Sequence, residues 1–547
     1  MKKTLLGVSL TTVACLYGLL AVILIAVALV TGIPVTTALA VSLGVLVLQF
    51  LVGPFFTDLS MRWFYKASFD REIPAYLRDF IQKICDENNM RFPRMGFIDD
   101  GAPNAFTYGR TKNDARIVLT RGIFEMLDEE EVKAVVAHEL GHARHYDMLF
   151  MTVVQLVPLV LYYVYELLLR GNIGKSDSSS DNNEGGSAAA VGIVAYVLYI
   201  ICQYIVLWLS RTREYFADEF SARTTKNPNA LASALVKIGF GLSTRAQDEN
   251  VKHSASKQST LGISDVKSSM STVAASVSPD GQASKQSIKN AMKWDLWNYW
   301  AKWYELNSTH PLISKRILAI SRLSPEYGQE PYIEFNEPKD RSYGGLFVKE
   351  LFIHILPSVA FIATAAATAI YVLGNSGSGT IVLGGAFRYI VGIGCALTFA
   401  LSLLKYRYKH PKNFERRTVE QLMAETTVSG VTAIPCEIEG TIVGRGDPGC
   451  IFDENYVIHD HTGIVLLNYN QPLKTINKIF ALFFAQKNID QRMKVVGWFR
   501  RSPVPYVEML YYTVGDKTKT LYSYKVGYIV RFVILLAALA FIFIPLT

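Results

Sequence analysis

The residues best placed to do chemistry are His138, Glu139 and His142 in the run His138-Glu139-Leu140-Gly141-His142. On a helix, positions i and i+4 share a face, so both imidazoles can hold one zinc ion with a carboxylate beside them as general base. The preceding Val132-Lys133-Ala134-Val135-Val136-Ala137 has helical composition, which is the context this chemistry needs. The bland alternative, two histidines on a helix surface, loses ground because the chain has only 9 histidines.

Two rings and a base leave a third protein ligand to be found. A third histidine at position 148, after a glycine at 145, is one solution, but the chain has Met148 and His145. The other is a carboxylate from a second helix. Glu214 and Asp218, in Arg213-Glu214-Tyr215-Phe216-Ala217-Asp218, are spaced i and i+4. Glu214 can then ligate while Asp218 bonds the free nitrogen of a ligating ring.

Helices must bring these two segments together, and the hydropathy pattern says how. Half of the 547 residues are hydrophobic and 19% are charged, with the apolar residues in blocks. Seven blocks approach the roughly 20 residues a helix needs to cross a bilayer: about 5–30, 35–56, 149–170, 190–209, 350–373, 380–404 and 527–545. The first is too long for a signal peptide and turns through Thr31-Gly32-Ile33-Pro34, so it reads as one arm of an uncleaved hairpin. His142 lies just before the third block and Glu214 just after the fourth. If those two spans form a hairpin, both residues emerge on the same side, on the order of 10 Å above the bilayer. The expectation is a helix from Asp128 to Tyr146 running straight into the third span, and a second helix after Ser210. Lys and Arg cluster in 57–148, 210–345 and 405–526, which places these segments in the cytoplasm. The net charge of +8 is then a topology signal, and no nucleic acid is invoked. No Cys-x-x-Cys spacing occurs among 6 cysteines, so neither a disulfide framework nor a thiolate zinc site is expected.

His-Glu-Leu-Gly-His, a membrane hairpin, then Arg-Glu-Tyr-Phe-Ala-Asp resembles the HtpX and CAAX prenyl protease family of integral-membrane zinc metalloproteases. The resemblance covers about 60–345. It implies a cytoplasm-facing endopeptidase with one zinc ion per chain, held by His138, His142 and Glu214, and Glu139 as base. Asn104 and Ala105, in Pro103-Asn104-Ala105-Phe106, match the family's segment bordering the substrate cleft. Ser308-Thr309-His310-Pro311 matches a downstream element whose histidine, here His310, stabilises the oxyanion. His310 capping the helix after Pro311 is the structural alternative.

The expected fold is a mainly α multi-pass membrane protein. It has a zincin-like α+β catalytic domain and a small C-terminal β-barrel of OB-like type. The domains expected are a transmembrane hairpin at 1–56 and a metallopeptidase domain at 57–345, followed by a hairpin at 346–404, a cytoplasmic β-rich domain at 405–526 and a last span at 527–547. The metallopeptidase domain is interrupted by the hairpin 149–209 and a disordered Ser-rich insertion at 242–289. Strands are expected at 115–120, 434–443, 450–458, 463–469, 492–500 and 505–513, with a surface helix at 473–484. The three-residue repeat Trp294, Trp297, Trp300, Trp303 reads as a face packed on the catalytic domain or as an interfacial belt. His145 and Asp147 are assigned supporting roles, His459-Asp460-His461 an exposed turn, and Glu166, Arg388 and Arg531 are charges in or beside spans.

The expected activity is cleavage of protein and peptide substrates, chiefly membrane proteins, at the cytoplasmic face of the plasma membrane, in quality control. Processing of lipidated C-termini is the enzymatic alternative. An inactive scaffold with structural zinc is the non-enzymatic one, and the intact Glu139 argues against it.

Overall fold

The computed structural model describes all residues except 1–4, 32–34, 171–181, 245–283, 376–384, 406, 407, 409, 446–454, 470–488, 503 and 544–547. The core of the Ser-rich insertion, the expected surface helix and Cys450 lie outside the described residues. The described chain divides into two compact units, Met1–Ser269 with Trp303–Phe335, and Met270–Lys302 with Asn336–Thr547.

The first unit begins with two long apolar helices, α1 (Leu5–Thr31) and α2 (Val35–Phe64). After α3 (Ala75–Glu87) come three short strands, β1 (Arg94–Ile98), β2 (Ala105–Gly109) and β3 (Ala115–Thr120). They pair in the order β1-β3-β2, with β1 parallel and β2 antiparallel to β3, so β2 is an edge strand. Only β3 is expected from the sequence. β1 and β2 have burial on both faces and so lack the alternation that marks a half-buried strand.

Helix α4 (Arg121–Met126) leads to α5 (Glu129–Arg144). The start of α5 is fixed by a capping box, in which Asp128 accepts from Glu131 N at 2.9 Å and Glu131 Oε2 accepts from Asp128 N at 3.0 Å. The helix does not run into the third span. Tyr146 has a φ of 58°, which ends α5 and lets α6 (Asp147–Arg170) start in a new direction. Conversely, the fourth span and its continuation are one helix, α7 (Asn182–Thr225), of 44 residues. The sequence near Ser210 has no Gly or Pro to break it, so the membrane span carries Glu214 directly. Helices α8 (Pro228–Thr244) and α11 (Ile313–Ser321) complete the unit around α5 and α7.

In the second unit, α9 (Lys285–Trp297) and the first residues of α10 (Tyr299–Leu306) carry Trp294, Trp297 and Trp300, while Trp303 falls in the first unit. Long apolar helices α12 (Gly344–Asn375) and α13 (Gly385–Lys405) follow. A short α14 (Val419–Ala424) then precedes β4 (Ile434–Arg445), β5 (Tyr456–Asp460), β6 (Gly463–Asn468), β7 (Arg492–Ser502), β8 (Val504–Val514) and β9 (Lys517–Thr520), and α15 (Ser523–Phe541) ends the chain. The strands run β6-β5-β4-β7-β8, and a parallel β6–β8 pairing closes them into a five-stranded barrel, with β9 added to β8. Gly497 sits at a register shift where a Cβ would lie 2.1 Å from Glu508 O, so closure requires glycine there. The barrel core is Val419, Leu422, Ile438, Ile458, Val495, Phe499 and their neighbours.

Trp294, Trp297 and Trp300 belong to this unit. Trp294 is buried, donates to Val428 O at 2.7 Å and stacks under the Arg501 guanidinium at 4.4 Å. Trp300 donates to Glu350 Oε2 at 2.7 Å. Among the described residues six helices are long and apolar enough to cross a membrane: Leu5–Leu29, Asp147–Leu169, Ser187–Thr225, Gly344–Val372, Ala386–Lys405 and Tyr524–Phe541. The chain is a mostly helical, multi-pass membrane protein with a small barrel.

Candidate metal centre and active site

Helices α5 and α7 approach closely because Gly141 faces α7. A Cβ on Gly141 would lie 3.2 Å from Ala217 Cα and 3.1 Å from Phe220 Cδ1. Ser221 on α7 donates to Ala134 O on α5 at 2.6 Å. This crossing sets His138 and His142 against Glu214. The two Nε2 atoms are 3.2 Å apart, Glu214 Oε2 is 3.6 Å from His138 Nε2, and Glu214 Oε1 is 3.5 Å from His142 Nε2. Atoms bound about 2.0–2.2 Å from one tetrahedral cation stand about 3.3–3.5 Å apart, so this triangle fits a single ion.

The second nitrogen of each ring explains the first. His138 Nδ1 is 3.0 Å from Asp218 Oδ1, and His142 Nδ1 is 2.7 Å from Asp147 Oδ2. Asp147 bonds His142 Nδ1 and Asp218 lies at ion-pair distance from His138 Nδ1, an arrangement that favours a proton on each Nδ1 and turns both Nε2 atoms toward one spot. Two lone pairs 3.2 Å apart in a buried place need a positive charge between them. Glu214 Oε2, also buried and without a hydrogen bond, points the same way. The residues present therefore fit a divalent cation. Without one, the pocket collects protons instead. Burial opposes the charged His138 ring, but Asp218 and Glu214 outweigh it and push its pKa up to about 9. Burial likewise opposes the charge on Glu214, yet His310, Arg316 and the two rings hold it well below the usual carboxylate range.

Glu139 is buried, and its Oε2 accepts a hydrogen bond from Thr107 Oγ1 at 2.7 Å. His310 Nε2 lies 3.6 Å from Glu214 Oε1. Its ring therefore faces the metal-ligand cluster, and the helix after Pro311 starts at Leu312 with no side-chain cap bond of its own. Leu312 N donates instead to Glu305 Oε1 at 3.2 Å. Asn104 and Ala105 are buried at the start of β2. The Asn104 side chain accepts from Ala105 N at 2.9 Å, and Asn104 N donates to Thr120 Oγ1 at 2.7 Å.

Several residues of this site carry no signal in the sequence. Arg316 on α11 is fully buried, forks onto Asp218 at 2.7 and 2.9 Å, and reaches Glu214 Oε2 at 3.3 Å. Arg213 holds Asp147 Oδ1 at 2.5 Å. Arg211 donates to Glu305 O, Leu306 O and Ser308 O at 2.8, 3.3 and 2.7 Å, fixing the loop that carries His310. The break at Tyr146 brings Asp147 back to His142. His145 does not reach the cluster; it packs beside Phe216 and Phe220, and burial pushes its pKa down to about 4. Among the described residues no other group of His, Cys, Asp and Glu forms a candidate metal site. The exposed turn expected at His459-Asp460-His461 is confined to His461: His459 and Asp460 end β5, and buried Asp460 accepts through Oδ1 from Thr462 N and Gly463 N. Glu166 accepts from Tyr162 OH at 3.0 Å, and Arg531 donates to Gly527 O one turn away.

Known proteins can now be set beside this geometry. The family model described as "Peptidase family M48" matches residues 73–324. A "Protease HtpX homolog" of Methanothermobacter thermautotrophicus is 39% identical over 230 residues, covering 42% of this chain and 83% of that protein. A "Protease HtpX homolog" of Aquifex aeolicus is 31% identical over 270 residues, covering 48% of this chain and 76% of that protein. Among solved structures, the crystal structure of S. mikatae Ste24p aligns over 57% of this chain and 64% of that chain, at 17% identity and a TM-score of 0.32. With 83% of the archaeal relative spanned at that identity, and both histidines, Glu139 and Glu214 inside the matched segment, the chain belongs to peptidase family M48, among its HtpX-like membrane proteases.

Proposed function

We propose that the chain is a zinc-dependent endopeptidase that cleaves peptide bonds at the cytoplasmic face of the plasma membrane. Its substrates in this reading are membrane proteins, and its role is their quality control. The observation that carries the reading is the convergence of one donor atom each from His138, His142 and Glu214, with Glu139 next to the first of them. Two imidazoles and one carboxylate, with a fourth position left over, form the donor set of hydrolytic zinc. His138, His142 and Glu214 are then the ligands, and Asp218 and Asp147 orient the rings.

Bound there, zinc supplies Lewis acidity to a water molecule and to the scissile carbonyl. Glu139 takes a proton from the attacking water and returns it to the leaving amine. His310 donates from Nε2 to the oxyanion as it forms. The substrate backbone lies extended along the free edge of β2, entered past Asn104 and Ala105.

Membrane placement supports the substrate class. Exposed Tyr204 and Trp208 on α7, and Tyr146 before α6, form an aromatic belt of the interfacial kind. Glu214 follows Trp208 by nearly two turns of α7, so the site lies on the order of 10 Å from that belt. The excess of Lys and Arg on the same side of the spans supports a cytoplasmic site. The domain limits are those of the sequence reading, with 270–302 assigned to the C-terminal part. The closed strand order with parallel β6 and β8 supports an OB-like barrel.

The test is cleavage of an unfolded casein-like chain by the full-length protein in nanodiscs. EDTA should stop it, and Glu139→Gln should abolish it while zinc stays bound at one per chain. Retained cleavage by Glu139→Gln sinks the reading. Preference for a prenylated C-terminal peptide over casein would redirect it to lipidated substrates.

A further inference from the structure

Strand β2 is held on both faces, and the two faces do different work. Phe106 and Tyr108 point into a small core with Met61, Tyr65 and Phe69. Thr107, between them, points the other way, toward α5. Its hydroxyl lies 2.7 Å from Glu139 Oε2 and 3.2 Å from the carbonyl oxygen of Glu139. A hydroxyl has one proton to donate, and the shorter bond to a carboxylate oxygen is the stronger.

Building on the proposed function, we propose that Thr107 is a positioning residue for the general base. It ties the Glu139 carboxylate to the edge strand along which the substrate is laid. Its bond occupies Oε2 and leaves Oε1 as the oxygen that accepts the proton of the attacking water. The same residue pairs with Ile117 in the sheet, so its place relative to a peptide added at the free edge of β2 is set by backbone hydrogen bonds. Docking of an extended peptide and aiming of the base are thereby referred to one residue. A structural alternative, that Thr107 only fills space beside α5, predicts that its methyl group matters and its hydroxyl does not.

The two accounts separate in steady-state kinetics on the full-length protein in nanodiscs, with bound zinc and thermal melting measured alongside. Thr107→Val keeps the shape and the strand propensity and removes the donor. It should lower kcat by on the order of 10- to 100-fold, the scale on which a misaimed base loses rate, with KM and zinc content unchanged. Thr107→Ser, which restores the hydroxyl and removes the methyl, should recover kcat to within about threefold, a residue left by the lost packing. In a Glu139→Asp background, where the carboxylate is withdrawn, Thr107→Val should add little further loss, since the two changes act on one interaction. Should Thr107→Val lose zinc, Thr107→Ala removes the donor without a methyl against the carboxylate and is read the same way. An unchanged kcat in the valine variant overturns the assignment, as does a serine variant as slow as valine or a loss confined to KM. Glu139→Gln, run in parallel, keeps the two questions apart. If it is inactive while Thr107→Val is normal, only the Thr107 assignment fails. If it is active, the peptidase mechanism fails and takes the assignment with it.

Discussion

Each ring of the candidate metal site has its own carboxylate, and each carboxylate has its own arginine. Asp218 serves His138 and is held by Arg316, while Asp147 serves His142 and is held by Arg213. Replacing either carboxylate should therefore weaken metal binding without removing a ligand. Asp147→Asn is expected to lower zinc affinity about 10- to 100-fold in a chelator competition, with the fold intact by circular dichroism. Arg316 has a different part, since without it Glu214 and Asp218 are left as buried like charges. Arg316→Met should lower the melting temperature of the metal-free protein much more than that of the zinc-loaded one, because the ion supplies the missing positive charge.

The raised pKa of His138 adds a pH signature. In the metal-free protein the ring keeps a proton up to about 9, above its ordinary 6.5. Zinc loading at pH 7.5 should release that proton, and the release should fade as the pH rises through about 9; calorimetry in two buffers of different ionisation heat reads it. By the same sign, this group stabilises the metal-free fold fully below its unfolded pKa and loses that effect as the pH passes about 9. His138 with His142, and Glu214 with Asp218, were legible because i, i+4 spacing places each pair on one helix face, and Glu139 because it follows the first histidine. Thr107, Arg211 and Arg316 were not, because each acts on a partner 32 to 98 residues away and leaves no local pattern.

Two helices make the site, and their crossing depends on the residue between the ligands. At Gly141 an alanine would gain about 1 kcal/mol of helix propensity. It would also press its Cβ to 3.1–3.2 Å from Phe220 and Ala217, so the two effects come close to cancelling. A branched side chain has no such escape. Gly141→Val should force α5 away from α7, lose zinc at concentrations that saturate the native protein, and melt earlier, whereas Gly141→Ala should keep its zinc. Glycine here was visible in the motif, but its reason was not, since the neighbour lies on a helix 76 to 79 residues further on. The break at Tyr146 was missed because a positive φ at tyrosine has no sequence mark like glycine. The unbroken α7 agrees with the expected continuation past Ser210 to about Arg223: the change from apolar to charged residues there signals the bilayer surface, not a helix end.

At the scale of the whole chain, hydropathy located every one of the six helices that meet membrane length among the described residues, and alternation located the five strands that close the barrel. It did not say which unit the tryptophan repeat serves. A three-residue period marks a buried face but not its partner, and here the partner comes from residues 343–350, 426–428 and 501. Trp294→Ala should cost the C-terminal unit about 3–5 kcal/mol, seen as the loss or downshift of one calorimetric transition. Zinc content should not change.

Helix α2 ends in a latch. Tyr108 OH donates to Asp58 Oδ1 at 2.7 Å, Arg116 bonds the same carboxylate at 3.1 Å, and Arg110 reaches Leu51 O at 2.6 Å. Residues 51–65 are thus a fitting of the sheet. A shorter version that begins after Phe64 would keep every residue of the metal cluster and still let the strand beside it come loose. A version that starts ahead of Leu51 would keep that strand pinned, so the line for shortening the chain runs through α2 and not at its end.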